Sequence, residues 1–399
     1  MSILQFNNEP KESKAPGQSV TVAVPQGVQT PVYAQDAIKL IDIPVPSPHF
    51  YDKGYCPPEL ENMLLPDGSE FGLFSDPYGE MVYLNTNVNT SKGYFWLENR
   101  IEDNTFTERE IQMFHFFAQH RCATREQIKK ILFNDEANPS TISKFINKNI
   151  QRGILATFTW KTPLYTERHK PRVYGLTKVG VKAANLLFHY DLPLSFQFQP
   201  VNFKSGTGPN MSTFFLDLVA NQLFSELSRI DRVLSWQRRP AIRLVDGNIH
   251  YPMSQFQVIR DENEFRTFWL EVIRPGFGWM EKTKARMQKT AEAYEKLPVN
   301  QRPARLIVVV DGDSRIPYIA QWASQLMPDV KLWFTTDERL LAPIGHDTFL
   351  IYDEERLKRV EVGFLQEGWP GMTASEYRSR QELLVEDDEE YDYIEEGLL

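Results

Sequence analysis

The length and composition of this sequence are those of an ordinary globular protein. Its 399 residues suffice for about two or three domains, and 42% of them are hydrophobic and 24% charged. No run approaches ~18 consecutive apolar residues, and residues 1–29 lack the basic start and apolar stretch of a signal peptide. We therefore expect a soluble, cytoplasmic protein without a membrane partner.

The cysteine and histidine content excludes several kinds of site. Cys56 and Cys122 are the two cysteines and form no CxxC pair, which argues against both a disulfide framework and a zinc site. The seven histidines are scattered, without metal-ligand spacing to carboxylates, and no Walker motif or complete GxGxxG occurs. We expect neither a metal nor another cofactor.

The net charge of −9 is concentrated at the C-terminus. Nine acidic residues and no Lys or Arg follow Arg380, so the rest of the chain is close to neutral. Residues 101–190 carry fourteen Lys and Arg against eight Asp and Glu. Residues 381–399 therefore predict an acidic disordered tail, or alternatively an intramolecular competitor that covers a basic face. The basic middle of the chain is compatible with nucleic acid.

The N-terminal hundred residues predict little regular structure. Residues 1–30 are polar and rich in Pro, Gln and Ser, and predict a disordered arm. Residues 31–100 predict an irregular extension, in which 78–85 has the composition of a short strand.

Residues 101–196 predict a winged helix-turn-helix domain. Thr107 and Glu110 form a capping-box pattern at the start of a helix, Thr124 precedes a second helix, and Asn138-Pro139 starts a third helix over 141–152. Strands are then predicted at 154–160 and 173–176, with a polar, basic tip between them and a helix after Thr177. Helix, helix, helix and hairpin follow one another in the order of a winged helix.

The third helix and the hairpin carry the candidate DNA contacts. A helix in the major groove needs an outward face that neutralises phosphates and bonds base edges, and a wing beside it needs cations at its tip. The candidate residues are Thr141, Ser143, Lys144, Asn147, Lys148, Arg152, Lys161, Arg168, His169, Lys170 and Arg172. The alternative is a solvated surface on a domain that contacts proteins.

Residues 210–360 predict a second, mixed α/β domain beyond a Gly- and Pro-containing linker at 197–210. Helices are predicted at 212–229, 279–297 and 315–326, and strands at 233–237, 254–259, 265–273, 305–310, 330–335 and 348–352. The fold class is thus α+β. This order resembles the PD-(D/E)XK core of restriction-endonuclease-like proteins, whose catalysis needs paired carboxylates, a Lys and a divalent metal.

The catalytic pattern of that nuclease class is incomplete here. Met253 and Ser254 occupy the place of the first acid, and Glu271 occupies the second. Ile273 replaces the expected Lys, with Arg274 one position further along. One carboxylate is a poor divalent site, so Glu271 remains only a weak catalytic candidate. Asp246 or Asp261 as a displaced second acid is the alternative.

The layout as a whole resembles the replication-relaxation family of plasmids and mobile elements, over about residues 105–345. The resemblance rests on the winged-helix pattern, the Tyr251-Pro252 strand, Trp-Leu-Glu-Val at 269–272, the helix at 282–294 and Trp-Phe-Thr-Thr-Asp-Glu-Arg-Leu at 333–340. It implies a non-enzymatic, double-stranded DNA-binding protein acting in replication, regulation or relaxase accessory function, with relaxase or replication proteins as partners. By analogy with other winged-helix proteins a homodimer is also expected. A metal-dependent endonuclease using Glu271 and a protein-interaction adaptor remain the alternatives.

Overall fold

A computed structural model describes residues 62–67, 69, 71–84, 94–133, 137–163, 169–204, 206–261, 264–366, 369 and 371–381. Within these residues the chain is α+β, as predicted. The arm predicted at 1–30, Cys56, Arg168 and the acidic tail from residue 382 lie outside the described residues.

The first half of the described chain is a helical unit on a small sheet. Its elements are β1 (Glu80–Tyr83), α1 (Tyr94–Glu102), α2 (Glu108–His120), β2 (Cys122–Thr124), α3 (Arg125–Phe133), α4 (Pro139–Gln151), β3 (Leu155–Lys161), β4 (Val173–Leu176) and α5 (Lys178–Phe188). The four strands are antiparallel in the order β1-β3-β4-β2. The strand predicted at 78–85 is confirmed as β1, whereas α1 falls where an irregular extension was predicted.

Local hydrogen bonds explain where these helices begin. The capping box at α2 is confirmed, because the Thr107 side chain accepts from the Glu110 N–H and the Glu110 carboxylate accepts from the Thr107 N–H. The Asn138 side chain accepts from the Ser140 N–H at the start of α4, and Thr177 caps α5. These caps fix the ends of α2, α4 and α5 independently of tertiary contacts.

The second half is built on a seven-stranded mixed sheet in the order β13-β12-β11-β10-β9-β8-β5, with β9, β10 and β11 parallel and the other neighbours antiparallel. Its strands are β5 (Val233–Arg238), β8 (Ser254–Asp261), β9 (Glu264–Val272), β10 (Arg305–Val310), β11 (Leu332–Thr336), β12 (Leu350–Asp353) and β13 (Arg356–Arg359). A separate hairpin consists of β6 (Ile242–Arg243) and β7 (Ile249–His250), and the helices are α6 (Ser212–Arg229), α7 (Trp279–Lys296), α8 (Ile316–Leu326) and α9 (Asp337–Leu341).

Apolar side chains alternate between the two faces of the central strands, so both faces of this sheet are buried. In β9, Phe268 and Leu270 share a core cluster with α6, while Trp269 packs in the cluster that contains α7 and α8. In β10, Ile307 and Val308 alternate between the same two clusters. Glu271, two residues after Trp269, therefore belongs to the α7 face.

The two sheets share one core around α6. Phe158 and Trp160 of β3 belong to the same buried cluster as Phe215 and Leu218 of α6, and the Trp160 and Phe215 rings lie 4.9 Å apart. Residues 197–210, predicted as a linker, contribute Phe198, whose ring stacks on Phe158 at 5.0 Å. The segment between the two units is thus part of the packing that joins them.

Candidate nucleic-acid interface

The α4 helix presents a polar face beside a buried apolar one. Ile142 and Ile146 are 1% and 2% exposed, and they turn into the helical core together with Ile150. Thr141, Lys144 and Asn147 are exposed. This separation follows the 3.6-residue period of the helix, and it leaves a cation and an amide side by side on the outer surface.

Ser143 and Arg125 tie the start of α4 to α3. Arg125, at the first position of α3, donates to the Ser143 hydroxyl at 3.0 Å and to the Pro139 carbonyl at 2.8 Å. Ser143 is half-buried and donates in turn to the Pro139 carbonyl. Arg125 was not among the residues predicted from the sequence, because its place beside α4 depends on a contact 18 residues away.

Glu110 fixes the C-terminal half of α4. Its carboxylate is fully buried and pairs with Arg152 at 2.5 Å and Lys148 at 3.1 Å. Burial alone would raise the pKa of Glu110, but the Thr107 N–H, Lys148 and Arg152 together hold it below the usual value. Arg152 also lies over the Trp96 ring. The structure therefore places Arg152, with 17% side-chain exposure, in the anchoring of the helix, and leaves Lys148, at 45%, partly available.

The hairpin between β3 and β4 supplies further cations. Lys161 is exposed and lies 3.5 Å from the Glu80 carboxylate, whose pKa is lowered chiefly by the Gly208 N–H. His169 and Arg172 are exposed, and Lys170 is half-buried. Arg168, at the tip, lies outside the described residues.

The surroundings of Glu271 differ from a catalytic metal site. Arg286 of α7 holds both carboxylate oxygens, with Nε–Oε2 at 2.5 Å and Nη2–Oε1 at 3.1 Å, and the Met253 N–H donates to Oε1 at 3.4 Å. Burial raises the pKa of Glu271, and Arg286 opposes that shift. Ile273, in the place of the expected Lys, is buried in the α7 core.

The neighbouring candidates of that site are engaged elsewhere. Arg274 pairs with the buried Asp337 and donates to the Phe74 carbonyl, so it acts in packing. Asp246 pairs with Lys296 at 2.7 Å. The side chain of Asp261 lies outside the described residues. In the part of the chain that the structure describes, no three His, Cys, Asp or Glu residues come together as a possible metal site.

Comparison of the chain with protein-family models, with curated proteins and with solved structures found no match in any of the three. Among the described residues, no helix combines the length and the apolar character needed to cross a bilayer.

Proposed function

We propose that residues 101–196 form a winged helix-turn-helix unit that binds double-stranded DNA, with α4 in the major groove and the β3–β4 hairpin as the wing. The element order α2, β2, α3, α4, β3, β4 supports this proposal, as does the sheet in which β4 lies between β2 and β3. The first strand, β1, extends that sheet on the side of β3.

The observation that carries the proposal is the outer face of α4. Lys144 is exposed and has no ion-pair partner among the described residues, and the Asn147 amide is exposed one turn further along. A lysine in this position can neutralise a phosphate, and an asparagine can bond the edge of adenine. His169 and Arg172 on the hairpin add donors for the backbone of the same duplex.

For the second unit we propose a nuclease-like fold that acts as a scaffold and not as an enzyme. Support comes from the order α6, β5, β8, β9, α7, β10 around a mixed sheet and from the capture of Glu271 by Arg286. We further propose membership of the replication-relaxation family, and with it action on a plasmid, phage or conjugative element together with relaxase or replication proteins. A homodimer on a two-fold DNA site belongs to the same proposal.

A fluorescence-anisotropy titration of the full chain with duplex DNA tests this function at about 50 and about 200 mM salt. We expect salt-sensitive binding. Lys144→Ala should weaken binding evenly across sequences and lower the salt slope by ~1, because one phosphate contact is lost.

Lys331→Ala is the matched control, because Lys331 is exposed just before β11 in the other unit. Absence of duplex binding by the full chain would refute the proposal and favour the protein-interaction adaptor. An equal loss in both variants would show that α4 is not the contact.

A further inference from the structure

Arg239 stands out among the exposed cations of the second unit. It follows β5 directly and adopts φ 46°, a left-handed conformation that residues other than glycine rarely take. Its backbone N–H donates to the Met253 carbonyl at 3.0 Å, which fixes the turn. Its guanidinium has no ion-pair partner among the described residues, although the side chain is exposed.

Three further arginines lie close enough for their charges to act on Arg239, and we refer to Arg121, Arg238, Arg239 and Arg286 as the Arg239 cluster. Arg121 and Arg238 both bind the buried Asp217, each at 2.6 Å. Arg286 binds Glu271 at 2.5 Å, and Glu271 in turn accepts from the N–H of Met253, the residue that holds Arg239. Counted together, the four guanidinium groups are balanced by two carboxylates, Asp217 of α6 and Glu271 of β9, and Arg239 is the one that has no ion-pair partner among the described residues.

Apolar side chains lie exposed beside this charge. Arg286 donates to the Tyr251 carbonyl at 3.3 Å, and the Tyr251 side chain is 53% exposed. Ile249, two residues before Tyr251 and on the same side of the chain, is 47% exposed. A ligand that matches this surface therefore carries both negative charge and apolar groups, which a phosphate backbone does not.

The C-terminal segment of the chain has that composition. Between residues 382 and 396 it carries nine acidic residues, among them the unbroken run 386–390, interleaved with Tyr391, Tyr393 and Ile394. No Lys or Arg occurs in it.

The fold brings this segment to the correct strand. The Ala374 N–H donates to the Asp231 carbonyl at 2.9 Å, and Arg378 donates to the carbonyls of Val233 and Leu234 at 3.4 and 3.5 Å. The chain therefore leaves the described structure at the start of β5, the edge strand whose other end leads into Arg239.

The acidic segment is long enough to reach Arg239 from the start of β5. β5 has six residues, a length of about 20 Å at ~3.3 Å per residue. Residues 374–381 are helical, so the reach is counted from Gln381. The nine residues from Gln381 to Glu390 span up to about 30 Å when extended, so the acidic run reaches the far end of β5. Because the segment is tethered, its effective concentration at the cluster is on the order of millimolar.

We propose that the Arg239 cluster is an anion-binding site whose occupant is the acidic segment 382–396 of the same chain. The acidic run pairs with Arg239 and the exposed side of Arg286, and the tyrosines pack against Tyr251 and Ile249. This contact does not depend on DNA binding by α4.

Digestion of the full chain with a Glu-specific protease tests the contact without DNA. Cleavage after Glu386, Glu389 and Glu390 is followed by intact mass spectrometry at about 50 and about 500 mM salt, since screening is far stronger at the higher concentration. In wild type we expect slow cleavage that becomes several-fold faster at high salt. Arg239→Glu should raise the low-salt rate by a similar factor, with circular dichroism confirming the fold.

Arg356→Glu is the matched control, because Arg356 is exposed on β13 at the opposite edge of the sheet; its rate should equal that of wild type. Asp387→Arg with Asp388→Arg, added to Arg239→Glu, should restore protection by exchanging the charges. Equal cleavage in wild type and Arg239→Glu would overturn the proposal. So would unchanged cleavage together with weaker duplex binding by Arg239→Glu, because the cluster would then serve DNA.

Discussion

The imidazole of His120 lies with Nδ1 2.8 Å from Oδ1 of Asn221, joining the end of α2 to the middle of α6. The Asn221 amide nitrogen donates to the carbonyls of His120 and Cys122, so its oxygen must face the histidine and Nδ1 must carry the proton. The opposite nitrogen, Nε2, is buried and has no hydrogen-bond partner among the described residues. His120 is therefore held neutral at the junction of the two units.

Acid should destabilise the protein through this histidine. Burial lowers the pKa of His120 from 6.5 to about 3. Between these two pH values the histidine is protonated in the unfolded chain and neutral in the folded chain. The contribution to stability is complete above pH 6.5 and falls by up to ~1.4 kcal/mol per pH unit below it. We expect urea unfolding at several pH values to show that the unfolding free energy depends less steeply on pH in His120→Gln than in wild type.

His169→Gln is the control for that measurement, since His169 is exposed on the hairpin. If the pH dependence of the unfolding free energy were the same in His120→Gln as in wild type, other groups would cause the acid sensitivity.

Removal of the Glu110 charge should loosen α4. Glu110→Gln leaves Arg152 partly buried without its counter-charge, and we expect a loss of about 1–3 kcal/mol of unfolding free energy near neutral pH. Because the pKa of Glu110 is lowered in the folded state, this stabilisation is present above its ordinary value of 4.5 and is lost as the pH falls below it. The difference between variant and wild type should therefore shrink in acid.

Glu108→Gln provides the comparison, because Glu108 lies two residues earlier on the same helix and is exposed. Chemical denaturation of the two variants should separate a buried charge network from a general loss of helix charge. Equal stabilities would contradict the anchoring of α4 by Glu110.

The loop residue Phe198 requires a glycine beneath it. Gly175 lies in the middle of β4, and a Cβ there would overlap the Phe198 ring. Gly175→Ala should destabilise the protein by about 1–3 kcal/mol through overpacking, and Phe198→Leu in the same chain should recover part of the loss. Thermal unfolding measures both effects. Gly276→Ala, with no atom within 4 Å of the added carbon, should be neutral.

Arg286 should stabilise the chain by holding a buried carboxylate. Arg286→Met leaves Glu271 without its ion-pair partner, with an expected loss of about 2 kcal/mol near neutral pH, below the fully buried case because Arg286 is half-exposed. Burial raises the pKa of Glu271, so the protonated acid is favoured in the fold and the penalty grows as the pH rises through that pKa. Unfolding at about pH 5 and about pH 7.5 should show the larger loss at the higher pH.

Arg243→Met, on the exposed β6 strand, controls for loss of a surface arginine.

A separate experiment tests the endonuclease alternative: supercoiled plasmid should remain uncut with Mg²⁺ or Mn²⁺ present. Nicking that disappears in Glu271→Ala would instead support the endonuclease.

The sequence predicted those elements whose signals are local. The caps at Thr107, Asn138 and Thr177 are side-chain bonds within four residues. Six of the seven strands of the large sheet were found from short apolar runs, whereas β13, which has a single apolar residue among three cations, was missed. Helix α1 was missed because it has only nine residues and begins with four consecutive apolar residues, Tyr94 to Leu97, which obscure its apolar face. The two-residue strands β6 and β7 carry too little pattern to be recognised.

The candidate site was predictable only on its outer side. The helical period showed that Lys144 and Asn147 face away from Ile142 and Ile146. It could not show that Arg152 turns back to Glu110, because the two residues are 42 positions apart and the contact depends on how α2 packs against α4. The same limit applies to Glu271, since its partner Arg286 comes from a different element.

The core around α6 also determines how this protein can be dissected. A cut at 197–210 would expose Phe158 and Trp160 on one fragment and Phe215 and Leu218 on the other, a patch of the kind that drives aggregation. Neither fragment would report on the unit it came from, so single substitutions in the intact chain are the suitable tool. Because the described residues of the two units share this one core, the two units should melt in one cooperative transition.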